Sequence, residues 1–420
     1  MNRVQPSAVV VATEPSRPRS DVRDRVDYRY AMKSGAYIQV PFCQTKCTYC
    51  NFHTGVFAAS LYEPYARAVC REIEMRAAAE RPRAVSRTSA VAFDTAYFGG
   101  GTPSLLAPGS LARIIDALRG HYACEFAEVT LEADPETITP EKADAWRGAG
   151  FDRVSLGAQS FNDVELKAAG RMHRRADIFS AVSLLREAGF RNITLDLIAG
   201  LPHQTEASWQ DSLENIVRVA PEHISIYMME IDEGSRLGKE SLAGGHKYSA
   251  DALPTDDAMA ECYDVACTRL AAEGFEHYEI SNWARPGFRA RHNLKYWRRE
   301  PYLGLGAGAH SFDGAKRWAN AHEPAAYVAS IERGVLPVEQ EETVTSRAAL
   351  EETLFLGLRQ LEGIEFDPAR SQFGAVVNAR IAEMESDGLV ILDGGRLRLA
   401  PDRLAVSNEV FVGLLEADPA

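Results

Sequence analysis

The sequence predicts an α/β protein: a partial barrel of six β/α units followed by a small C-terminal α+β domain of winged-helix type. Two patterns carry this. Short apolar strands alternate with amphipathic helices between residues 34 and 235, and such alternation implies a parallel sheet with helices outside. Near the C-terminus, helical patterns precede Gly388-Leu-Val-Ile-Leu392 and Arg396-Leu-Arg-Leu399, a hairpin turning at Asp393-Gly-Gly395.

Residues 1–33 are polar, rich in Arg, Ser and Pro, and without a period; they read as a disordered leader. The first strand is Ala36-Tyr-Ile-Gln-Val40, ended by Pro41. Five more apolar strands follow at 92–98, 128–132, 153–157, 193–198 and 223–228. Between them, Leu111, Ile114, Ile115 and Leu118 form one helical face, with Ser110 as the expected N-cap and Gly120 as the stop. Ile178, Ala181, Val182 and Leu185 repeat that spacing and end at Gly189. Six units are too few for an eight-unit barrel, so something else must close the sides. Residues 234–255 read as a loop over the barrel. Residues 236–340 form a barrel extension with one helix near 257–272, and 341–420 are the terminal domain.

With 46% hydrophobic and 25% charged residues, the composition is that of a globular protein in water. The 46 basic against 59 acidic residues give a charge of −13, which argues against nucleic acid or an anionic membrane as the main partner. No apolar run is long enough to span a bilayer and the N-terminus lacks a secretory pattern, so a cytoplasmic location is expected. The seven cysteines are few, and three fall within eight residues. That is cofactor usage in a reducing compartment.

Those three stand in Pro41-Phe-Cys43-Gln-Thr-Lys-Cys47-Thr-Tyr-Cys50, just past the first strand, where parallel α/β folds build their sites. Cysteine is the usual ligand of Fe–S clusters, and three thiolates on a [4Fe–4S] cluster leave one iron open for a small molecule. The rival reading is a zinc knuckle with His53 as fourth ligand, although structural zinc favours two separated pairs. Cys70, Cys124, Cys262 and Cys267 have no ligand spacing.

Downstream, Tyr97-Phe-Gly-Gly-Gly-Thr-Pro-Ser104 follows the second strand, Leu131-Glu132-Ala-Asp-Pro135 the third, Ser155-Leu-Gly-Ala-Gln159 the fourth, with Arg171 after it, and Leu195-Asp196-Leu-Ile-Ala-Gly-Leu-Pro202 the fifth. Together with Cys-x3-Cys-x2-Cys, these blocks resemble the radical S-adenosylmethionine superfamily. Over about 35–415 the chain resembles the branch of the oxygen-independent coproporphyrinogen III oxidases and the HemW-type haem chaperones. The resemblance implies a [4Fe–4S] cluster on Cys43, Cys47 and Cys50. It also implies S-adenosylmethionine contacts from Tyr37, Tyr49, Gly100, Gly101, Thr102, Glu132, Gln159, Arg171 and Asp196. The glycine N–H groups are expected to face the methionine carboxylate.

Two features divide that branch. The oxidase pattern has a further cysteine two residues after the third ligand, where this chain has Phe52. His292-Asn293-Leu-Lys-Tyr296-Trp297 matches the chaperone signature. An imidazole can ligate haem iron, and Tyr and Trp can lie on a macrocycle; His277 and His310 are rival ligands, and the motif can equally shape the cavity. The resemblance therefore implies a haem chaperone, with haem as cargo and haem-requiring proteins as recipients. A homodimer and peripheral membrane contact through the recipient are further expectations. The alternative is a radical enzyme acting on a porphyrinogen or another tetrapyrrole.

Overall fold

The computed structural model describes residues 33–80, 91–369 and 372–415; the expected leader, apart from Lys33, lies outside them. Six parallel strands form the centre: β1 (Ser34–Val40), β2 (Ala92–Gly100), β3 (Ala123–Ala133), β4 (Arg153–Gln159), β5 (Asn192–Ala199) and β6 (His223–Met228). The connections carry α1 (Tyr62–Glu80), α2 (Pro108–His121), α3 (Pro140–Ala149), α4 (Asp163–Ala168), α5 (Arg175–Glu187) and α6 (Glu206–Val219). Six of the seven β1 residues are buried, as befits a strand covered on both faces.

The helix faces behave as their spacing demands. Leu111, Ile114, Ile115 and Leu118 of α2 are buried, as are Ile178, Ala181, Val182 and Leu185 of α5. Ser110 does not cap α2, which begins at Pro108 behind Ala107. Proline suits the first helical turn because its missing N–H has no partner there anyway. The Ser110 hydroxyl instead donates to Glu63 on α1 at 2.8 Å. The helix also runs past Gly120 to His121.

The segment expected as a loop at 234–255 is largely helical. It holds α7 (Arg236–Leu242) and a 3-10 turn at Lys247–Ala252. Ser235 caps α7 by accepting the Gly238 N–H at 2.8 Å. Seven residues are too few to show a helical period, so the pattern hid it. Leu237 is buried in a cluster with Ala169, Leu201 and Tyr49, and its N–H donates to Thr48 O at 2.8 Å. The segment thus braces the cysteine loop.

What closes the barrel's sides lies further on. After α8 (Asp256–Ala272) come β7 (Glu276–Glu279), β8 (Asn282–Ala284), α9 (Arg291–Trp297), β9 (Tyr302–Leu305), β10 (His310–Phe312), β11 (Lys316–Asn320), α10 (Pro324–Glu332) and β12 (Val338–Thr343). One sheet results, in the order β12-β11-β10-β9-β1-β2-β3-β4-β5-β6-β8-β7. β9 joins β1 in parallel, while β8 joins β6 antiparallel. The C-terminal part carries α11 (Ser346–Gly357), β13 (Ile364–Glu365), α12 (Gly374–Ser386), β14 (Val390–Asp393), β15 (Arg396–Leu399) and α13 (Ser407–Leu415). Its sheet runs β13-β15-β14. The hairpin turns on Gly394 and Gly395, at φ 56° and 78°, which a two-residue turn requires.

Candidate functional site

Side chains alternate across a strand, so every second residue of the parallel strands faces the barrel interior. On β3 that row is Glu128, Thr130 and Glu132, continued past the strand end by Asp134; on β1 it is Gly35, Tyr37 and Gln39. The C-terminal ends of the strands carry the cysteine loop and a ring of polar groups, and the N-terminal ends are filled by α9.

At the C-terminal mouth, Glu132 is held from two sides. Tyr97 O–H donates to Oε1 at 2.7 Å and the Gly100 N–H donates to Oε2 at 3.0 Å. Burial pushes its carboxyl up to about 7, with the Tyr97 hydrogen bond opposing and the Asp196 carboxylate adding to the shift. Burial likewise raises Asp196 to about 6, against hydrogen bonds from Ser225 and Ser155. Two half-buried carboxyls with few cationic partners suit a ligand that brings positive charge.

The glycines are there for close approach. Gly100 has φ 110°, and a Cβ on Gly101 would stand 2.5 Å from Phe42 O and 3.0 Å from Cys43 Sγ. Their N–H groups do not face a ligand, contrary to the expectation from sequence. Gly100 donates to Glu132, Gly101 to Val40 O at 2.8 Å, and Thr102 to Phe42 O at 2.7 Å. The turn hugs the end of β1 and the start of the cysteine loop so closely that the Gly101 and Thr102 donors are spent there, while that of Gly100 is spent on Glu132.

Arg171 is also engaged within the protein. It pairs with Asp134, donates to Gly157 O at 2.9 Å and approaches Cys47 Sγ at 3.4 Å. Thr102 O–H donates to Asp134 at 2.9 Å. Tyr49 packs below, against the Leu237 cluster. Gln159 sits at φ 63°, uncommon for a residue with a Cβ. Tyr37 donates to Gln39 at 2.7 Å and stacks on Tyr97, centroids 6.0 Å apart. The sequence reading missed Asp134, Tyr97 and Gln39 as part of this constellation. A period of two counted on from Glu132 finds Asp134, and the same count along β1 finds Gln39.

Cys43, Cys47 and Cys50 are partly buried, and burial pushes the Cys43 thiol up to about 11. Among the described residues, no three His, Cys, Asp or Glu side chains converge as the cage of a single ion. A cluster instead places each thiolate on a different iron. The donor set and the close glycine wall therefore fit an Fe–S cluster. Cys70, Cys124, Cys262 and Cys267 lie elsewhere, partly buried and packed against the main core.

The His292 motif lies at the opposite end of the barrel. His292 is 1% exposed. Its Nδ1 is 2.9 Å from Thr95 Oγ1 and its Nε2 2.9 Å from Tyr296 Oη, so both ring nitrogens have partners. The ring stacks on Tyr97 at 5.2 Å. Glu128 accepts the backbone N–H groups of Arg291 and His292, each at 3.0 Å, so an acidic side chain caps α9. Trp297 packs with Leu294, Tyr278 and Phe288, with the Arg359 guanidinium 4.7 Å over its ring. Asn293 is half-buried beside them. His277 stacks on Trp283 at 4.0 Å and is half-buried; His310 is exposed on β10.

Six parallel strands with three thiols on the loop after the first define a radical S-adenosylmethionine protein. The model of the radical SAM superfamily matches residues 37–216, and that of the HemN C-terminal domain matches 344–402. The chain is 31% identical over 390 residues to the haem chaperone HemW of Bacillus subtilis, covering 91% of this chain and 99% of that one. It is 34% identical over 385 residues to HemW of Mycobacterium tuberculosis, covering 91% and 94%. The chain belongs to the HemW family. In structure it is similar to HemN, the coproporphyrinogen III oxidase of Escherichia coli, with a TM-score of 0.76, 22% identity, and coverage of 93% and 91%; that likeness concerns the fold. Membership brings a [4Fe–4S] cluster and S-adenosylmethionine.

Proposed function

We propose that this chain is a haem chaperone, binding haem and passing it to haem-requiring proteins. The observation that carries the reading is the identity to HemW proteins along nearly the full length of both chains. Phe52 supports it, since it stands where the oxidase pattern has cysteine.

In this reading Cys43, Cys47 and Cys50 would hold the cluster beside the methionine end of S-adenosylmethionine, and the reduced cluster would supply an electron to the ligand's sulfonium. Glu132 and Asp196 offer carboxylates to the amino group and ribose hydroxyls. Gly100, Gly101, Thr102 and Gln159 line the approach, and Tyr37 and Tyr49 pack beside it. Arg171 serves the site by holding Asp134 and the cysteine loop. The motif His292, Asn293, Tyr296 and Trp297 acts by filling the barrel's lower end and seating the C-terminal part. No described helix is long and apolar enough to cross a membrane. We place the protein in the cytoplasm, with membrane contact only through a recipient, and as a homodimer.

The test pairs haemin titration and transfer to an apo-haemoprotein with an anaerobic assay of coproporphyrinogen III decarboxylation. Haem binding and transfer without decarboxylation is expected. Turnover at about 1 per second would establish the oxidase reading instead.

A further inference from the structure

One surface patch beside the cysteine loop takes no part in the site above. Phe52 and Val56 are 66% and 63% exposed. Single apolar residues on a surface need no explanation, but these two flank His53, which is also exposed. The His53 ring lies 4.2 Å from that of His322, tilted by 36°. His322 Nδ1 is buried and has no hydrogen-bond partner. Gly308, at φ 71°, lets the backbone run close under the pair: a Cβ there would stand 3.2 Å from His322 Nδ1 and 3.9 Å from His53 Cβ. His310 stands near enough to feel the charge of both rings. Partial desolvation first, and then the neighbouring rings, shift His53 and His310 below the ordinary imidazole range, which favours the neutral form that binds metal. Lys46 reaches across from the cysteine loop, its Nζ donating to Phe52 O at 3.4 Å.

These histidines do not form the cage of a bare ion. A metal that brings four equatorial ligands of its own asks the protein for only an axial imidazole, an apolar face and a cation for its acidic edge. That description is haem. We propose that haem docks on this patch, with the His53 imidazole on the iron and His322 packed behind to hold the ring. Phe52 and Val56 lie against the macrocycle, and Lys46 faces a propionate. The inference rests on the chaperone reading and adds the place to it. The cargo then sits on the rim next to the cluster loop, outside the barrel and open to a recipient.

The test is titration of the full chain, loaded with cluster and S-adenosylmethionine, with haemin, followed by absorption and by electron paramagnetic resonance of the ferric form. The wild type is expected to show imidazole-ligated iron. His53→Ala is expected to lose that signature and weaken binding about tenfold or more, with added imidazole restoring the signature. Phe52→Ser with Val56→Ser is expected to weaken binding about tenfold while the ligation stays. Iron and sulfide content, unchanged in each variant, reports that the loop is intact. Affinity and spectrum unaltered in His53→Ala overturn the site and leave the chaperone reading standing. A wild type that binds no haemin brings down the chaperone reading itself.

Discussion

His292 Nδ1 stands 2.9 Å from Thr95 Oγ1, two residues below the tyrosine that holds Glu132. The signature histidine is therefore tied to the floor of the barrel, and the strand it grips carries the glycine turn at the other end.

His292→Ala removes a buried ring stacked on Tyr97 and leaves Thr95 and Tyr296 without their partner. A cavity plus two orphaned hydroxyls costs about 3–5 kcal/mol. The expected outcome is a Tm lowered by many degrees in both apo and loaded protein. Haem affinity per folded molecule should stay within about twofold. A variant as stable as the wild type contradicts the packing role.

Arg171→Ala should act through the cysteine loop. The guanidinium joins Asp134, Gly157 O and the Cys47 thiol, so its loss frees a half-buried carboxylate and loosens one ligand. Iron retained after anaerobic reconstitution should fall severalfold, and Asp134→Asn should give a milder version of the same loss. Full iron content in Arg171→Ala, with only S-adenosylmethionine binding weakened, would return this residue to the ligand's carboxylate.

Cys43→Ser, Cys47→Ser and Cys50→Ser should each abolish the broad visible absorption of the cluster, because a hydroxyl is a poor ligand where thiolate is wanted. Cys70→Ser and Cys124→Ser, at positions packed against the main core, should retain it. Iron and sulfide analysis decides the matter; a full cluster in the triple serine variant would falsify the ligand set.

Much of this molecule is legible in its sequence because long-period signals survive at the level of single residues. The four apolar positions of α2 and of α5 gave their helices, and six apolar runs gave the parallel strands. Short elements escaped. α7 spans seven residues, and its reason for existing is the contact of Leu237 with the cysteine loop, which no local pattern encodes. The motif at His292 was visible as a motif but not as a place. Residues 291–297 reach the barrel floor only because β8 and β9 join opposite edges of one sheet, a long-range fact. The partners of the glycine N–H groups and of Arg171 were hidden for the same reason: they are Glu132, Val40 and Asp134, brought in by neighbouring strands.

The last prediction concerns protons at the mouth. Burial raises Glu132 from 4.5 to about 7 and Asp196 from 3.8 to about 6. The folded chain then binds more protons than the unfolded one across that window, so the stability of the apo protein should fall as pH rises from about 4 to above 7. S-adenosylmethionine carries a sulfonium and an ammonium group, and positive charge beside these carboxyls favours their ionised forms. Binding should therefore release protons near pH 6–7 and tighten as pH rises through that range. Calorimetry in two buffers of different ionisation enthalpy measures the release directly. Glu132→Gln should remove most of it and weaken binding by about 1–3 kcal/mol, with the cluster spectrum unchanged. Binding that exchanges no protons between pH 6 and 7 would show that these carboxyls do not face the ligand's charge.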